Sequence, residues 1–81
     1  CKSIRYPKEE QEKQRPLGRK YDQYHGPIYE GDIDFARVVG ILKRAGYAND
    51  LCVEDESLGK LQPADRAAVL AKEIRLLAAL R

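Results

Sequence analysis

Eighty-one residues allow one small domain, and 43% hydrophobic with 35% charged residues is the balance of a globular chain. A formal net charge of +2 makes no case by itself for nucleic acid or an anionic membrane, and no apolar run suits a transmembrane span. Cys1 and Cys52 lie far apart without metal-site spacing and no secretory h-region is present, so two reduced thiols in a cytoplasmic protein are expected.

The chain begins at Cys1 without a methionine, inside a strand-like stretch, Cys1-Lys2-Ser3-Ile4-Arg5. That start reads as the tail of a longer protein. Tyr6-Pro7 closes the strand. Residues 8–15 are wholly polar; Pro7 at a first helical position allows a turn or two of exposed helix, with a mobile loop as the equal alternative. Residues 16–32 carry Pro16, Gly18, Gly26, Pro27 and Gly31 with Tyr21, Tyr24 and Tyr29 between them. So long a loop is functional or disordered, and the tyrosines argue against simple disorder. His25 sits among them, first of all as a packing or hydrogen-bonding residue, on the part of the chain most able to fold over a site.

At Asp34 the pattern changes. Phe35, Val38, Val39 and Leu42 repeat at the i, i+3, i+4, i+7 spacing of a buried helical face, widened by Ile41 and Ala45. Asp34 is the expected N-cap, Lys43 and Arg44 suit the C-terminal dipole, and Gly46 is the left-handed stop, so the helix spans 35–45. Leu51-Cys52-Val53 is apolar on consecutive positions, which predicts a strand over 50–54 covered on both faces. It runs into Glu54, Asp55, Glu56 and Ser57, and carboxylates at the C-terminal end of such a strand sit where α/β folds keep binding groups. After a loop with Gly59, Pro63 and Asp65 open a second helix reaching about Leu80. Ala67, Leu70, Ile74 and Leu77 mark its inner face; Arg66, Lys72, Glu73 and Arg75 are expected in solvent. The order is a βαβα unit with parallel strands, which cannot cover its own edges and faces and demands further strands from missing sequence or another chain.

Gly31-Asp32-Ile33-Asp34-Phe35, then Ile41-Leu42-Lys43-Arg44-Ala45-Gly46-Tyr47, then Leu51-Cys52-Val53-Glu54-Asp55-Glu56-Ser57 resembles the C-terminal end of sugar phosphate isomerases/epimerases, the xylose isomerase-like TIM barrels. The likeness covers about 28–80 well and 1–5 loosely. It implies that 1–5 and 50–54 are the seventh and eighth barrel strands, that 33–81 is the helix–strand–helix close of the barrel, and that 6–32 is a long inserted loop. It also implies a divalent metal held by two glutamates, an aspartate and a histidine, of which Glu54 is the last-strand glutamate. The histidine falls before Cys1. Lys2 and Arg5 are implied to face substrate; His25 is a weaker substrate-side candidate because its loop departs from the family's shorter one. A metal such as Mn, Mg, Co or Zn would polarise a sugar carbonyl and stabilise an enediolate, with Glu54 able to move the proton.

Two other readings compete. Related barrels include abasic-site endonucleases, and Lys2, Arg5, Lys8, Lys13, Arg15, Arg19 and Lys20 would be the evidence for DNA binding. Those cations are interleaved with Glu9, Glu10 and Glu12, so a solvated loop and no nucleic-acid partner are expected. A non-enzymatic α/β interaction module, with the tyrosine loop as its contact surface, predicts a stable monodisperse protein. The barrel reading predicts an inactive chain when alone, associating with the remaining barrel segment or with itself through exposed strand edges.

Overall fold

A computed structural model describes all of residues 1–81. Two helices dominate it, α3 (Phe35–Arg44) and α4 (Pro63–Leu80), numbered after two shorter ones upstream. Asp34 accepts the Arg37 N–H on Oδ1 at 3.1 Å, satisfying one of the free donors of the first turn of α3. Gly46, at φ +80°, ends the helix in a conformation that a Cβ would strain. Pro63 opens α4, where a missing N–H costs nothing.

The buried centre is small. Ile28, Phe35 and Leu77 form its nucleus, with Cys1, Leu51, Val53, Leu76 and Leu80 packed around them. Nine of 81 residues are buried, within an outline of 36 × 35 × 16 Å, so the chain is a slab hardly thicker than one helix on one layer of backbone. Val38 and Ile41, expected on the inner face of α3, are exposed, because nothing lies over that side of the helix. On α4 the inner face is turned from the expected one. Ile74 is 52% exposed, while Glu73, expected in solvent, is the most deeply buried residue of the chain.

The regular sheet differs from the expected parallel pair. β1 (Ser3–Ile4) pairs with β2 (His25–Gly26), antiparallel, with Ser3 opposite Gly26 and Ile4 opposite His25. Residues 50–54 are not a regular strand. They still meet the start of the chain: the Cys1 ammonium donates to the Cys52 carbonyl, and the Glu54 N–H donates to the Cys1 carbonyl at 2.8 Å. That offset is the pattern of a parallel pair centred on Cys1 and Val53. It stops after one bridge because the chain turns aside at Asp55 into a 3-10 helix, Glu56–Lys60.

The 6–32 segment is folded rather than loose. It contains α1 (Lys8–Gln11) and α2 (Tyr21–Tyr24), and β2 brings it back onto β1. Its base is closed by Arg5 N–H to Tyr24 O (3.0 Å), Asp32 N–H to Ile4 O (2.9 Å) and Tyr6 N–H to Asp32 Oδ2 (3.0 Å). Gly31 passes so near Ser3 that any Cβ there would run into the serine side chain. No helix is long and apolar enough to cross a membrane.

Candidate functional site

The single parallel bridge decides which side chains meet. Pairing Cys1 with Val53 sets the next residues, Lys2 and Glu54, side by side, and Lys2 Nζ lies 3.1 Å from Glu54 Oε1. The same ammonium is 3.4 Å from Glu56 Oε1. Hydrogen bonding to Glu54, then to Glu56, pushes the Lys2 pKa above the usual lysine range, so it stays charged. About half of the Lys2 side chain and 64% of that of Glu54 remain open to solvent, so a ligand can reach both.

The 6–32 segment supplies the other wall. The Lys2 ammonium sits 5.3 Å from the centroid of the Tyr21 ring, and that ring packs at 4.9 Å against His25. Burial, then the charge of Glu56, raises the Tyr21 pKa, which keeps the phenol a neutral donor. His25 is half-buried, and its Nδ1 is enclosed without a hydrogen-bond partner. It borders a cavity of about 310 Å³ shared with Tyr29, Glu30, Ser57 and Lys60. Arg5 stands apart: its backbone joins Tyr24, but its exposed side chain makes no ion pair with any group here. In an extended segment, residues 2 and 5 point to opposite faces, which is why Lys2 reaches the acids and Arg5 does not.

On the inner side of the same turn lies a second acid group that composition alone did not mark. Asp55 Oδ1 accepts the Ser57 N–H at 2.8 Å and also the Ser57 hydroxyl. Glu73, 0% exposed, reaches the turn from α4, and its Oε2 accepts the Ile28 N–H at 3.0 Å. Its other oxygen, and Oδ2 of Asp55, are buried without a donor. Burial above all, aided by Asp55 and opposed by the Ile28 N–H, pushes the Glu73 carboxyl up to about 7. A sequence signal for it existed: Glu73 falls in helical register with Val69, Leu70, Leu76 and Leu77, within the apolar stripe.

No three His, Cys, Asp or Glu side chains converge to hold a metal ion. Glu54 offers one oxygen donor group, already in contact with an ammonium, so these residues do not build a metal centre by themselves. Comparison of the chain with protein-family models, with curated proteins and with solved structures finds no match.

Proposed function

We propose that this chain is the last two βα units of a xylose isomerase-like TIM barrel, part of a divalent-metal-dependent sugar or sugar phosphate isomerase or epimerase. The observation that carries the reading is the meeting of Lys2 and Glu54 across the Cys1–Val53 bridge. Glu54 was singled out by its place after an apolar run and by the resemblance, Lys2 by the resemblance, and they meet where the 50–54 segment ends, the end at which barrel enzymes keep their chemistry. The thin core supports it too. Leu70 and Ile74 of α4 and Leu51, Cys52 and Val53 line an open apolar groove, which further strands and helices would cover.

In this reading Glu54 is the carboxylate that takes a proton from the carbon beside the sugar carbonyl and returns it to the neighbouring carbon; protonation from the opposite face, as an epimerase needs, would take a second acid outside these 81 residues. Lys2, kept charged by its acids, donates to the oxygen on which negative charge builds. Tyr21 is the neutral wall that holds the ammonium in place. A divalent ion would take Glu54 as one ligand and the rest from residues outside these 81.

The test is solvent deuterium exchange into a panel of aldoses, ketoses and their phosphates, using the full-length protein with Mg²⁺, Mn²⁺, Co²⁺ or Zn²⁺. Metal-dependent exchange is expected, falling by roughly 100-fold or more in Glu54→Gln. The 81-residue chain alone is expected to be inactive. Exchange that survives Glu54→Gln intact would sink the reading, and a monodisperse, cooperatively unfolding 81-residue monomer would favour the interaction module.

A further inference from the structure

We propose that the ligand of the Lys2–Glu54 site carries an uncharged apolar group, alkyl or aryl, and that this group occupies a notch between Ile4, Leu17, Tyr21 and Ile33. The inference rests on the reading of Lys2 and Glu54 as a ligand site. It narrows the substrate class to sugars that bear an apolar substituent, in place of a phosphate, at the end away from the carbonyl.

Two large apolar side chains on this side of the molecule lack cover. Leu17 is wholly exposed and Ile33 is 42% exposed. Both border one cavity of about 190 Å³, walled also by Ile4, Tyr21 and Lys2. Backbone hydrogen bonds fix each wall before any ligand arrives. Asp32 N–H to Ile4 O (2.9 Å) sets Ile33 beside β1. Arg19 N–H to Pro16 O (3.2 Å) and Tyr21 N–H to Gly18 O (3.0 Å) close the turn that carries Leu17, and the Tyr6 hydroxyl ties that turn down by donating to Arg19 O at 2.6 Å. The notch is therefore preformed, and a group entering it leaves water without having to order the protein. It is continuous with the Lys2–Glu54 site. Lys2 and Ile4, two apart in an extended segment, project to the same face, and the Tyr21 ring that borders the notch is the one 5.3 Å from the Lys2 ammonium.

Charge decides what the notch takes. Lys2 is the only charged residue in its lining, and its ammonium is engaged by Glu54 at 3.1 Å and by Glu56 at 3.4 Å. Arg5 points to the opposite face. The Ser3 hydroxyl, also in this wall, is turned against Gly31. A phosphate in the notch would find no free cation and would meet two carboxylates at Lys2, so its loss of hydration would go uncompensated. An alkyl or aryl group needs no partner. It would cover Leu17 and Ile33, and an aryl ring would pack against Tyr21. The carboxylates beside Lys2 suit the hydroxyl-bearing end of the same ligand, since each accepts O–H donors.

The deciding experiment is a methyl ¹H–¹³C NMR titration of the full-length protein with glucose and with mannose, each free, phosphorylated, or benzylated on the hydroxyl furthest from the carbonyl. The benzyl sugars are expected to bind about tenfold tighter than the free ones and to shift the Leu17 and Ile33 methyl signals, with the phosphates no tighter than the free sugars. Leu17→Ser and Ile33→Ser should each erase most of the benzyl preference and leave the affinity for free sugar unchanged. Leu17 is wholly exposed, so Leu17→Ser keeps the fold and decides alone if Ile33→Ser does not fold. Equal affinity for free and benzylated sugars, tighter binding of the phosphates, or a benzyl preference that survives these substitutions overturns the proposal. Glu54-dependent deuterium exchange without a benzyl preference would sink this inference and leave the isomerase reading standing. Benzyl sugars that bind at Leu17 and Ile33 without any exchange would sink the isomerase reading and keep the notch.

Discussion

The outer and inner sides of one turn treat the same side chain in opposite ways. Glu54, outside, is a solvated carboxylate beside the Lys2 ammonium. Glu73, reaching the inside, is sealed from water and accepts the Ile28 N–H. Ion pairs in high dielectric contribute little to stability, because screening and side-chain entropy offset the attraction. Glu73 is different, since its Oε2 accepts the Ile28 N–H away from water, and breaking that match leaves polar atoms stranded. The pair that looks more electrostatic is thus the weaker brace. The outer side is open to solvent, and the inner side ties α4 to the 25–28 segment through the Ile28 N–H.

That contrast can be broken at several points. Glu73→Ala should cost the most, about 3 kcal/mol, by stranding the Ile28 N–H and opening a cavity under the turn. Chemical denaturation measures it, and a loss within experimental error would mean that the inner pair braces nothing. Asp55→Ala should cost less, about 1.5 kcal/mol, since it removes the acceptor for the Ser57 N–H and hydroxyl but relieves the crowding of acids at Glu73. It should also bring the Glu73 titration down towards the ordinary range, which carboxyl NMR reads directly. Lys2→Met should barely change stability, while lowering any activity that Glu54→Gln lowers. If Lys2→Met unfolded the protein and Glu73→Ala did not, the assignment of roles to the two sides would have to be exchanged.

The 6–32 segment shows why part of the site was hidden. Proline, glycine and tyrosine between 16 and 32 mark a structured loop, yet nothing local says that His25-Gly26 will pair with Ser3-Ile4. That pairing needs Gly31 to pass against Ser3 and Asp32 to bond Tyr6, contacts made across more than twenty residues. Tyr21 comes to Lys2 only as their consequence. The expected strand over 50–54 likewise keeps one bridge to Cys1 but forms no ladder, because Asp55 caps the next turn.

The sequence by itself determined the two helices and their ends: Asp34 before α3, Gly46 after it, and Pro63 at the head of α4. It also marked Glu54, as the carboxylate that ends an apolar run. Such features are legible because their physics is local, acting within one turn of backbone. Only the tertiary structure decided that Lys2 meets Glu54, that Arg5 does not, that Ile74 faces solvent, and that Glu73 goes inside to meet the Ile28 N–H. Those outcomes depend on which partner is at hand to satisfy a charge or cover a face, and partners distant in sequence leave no mark on the residues they will contact.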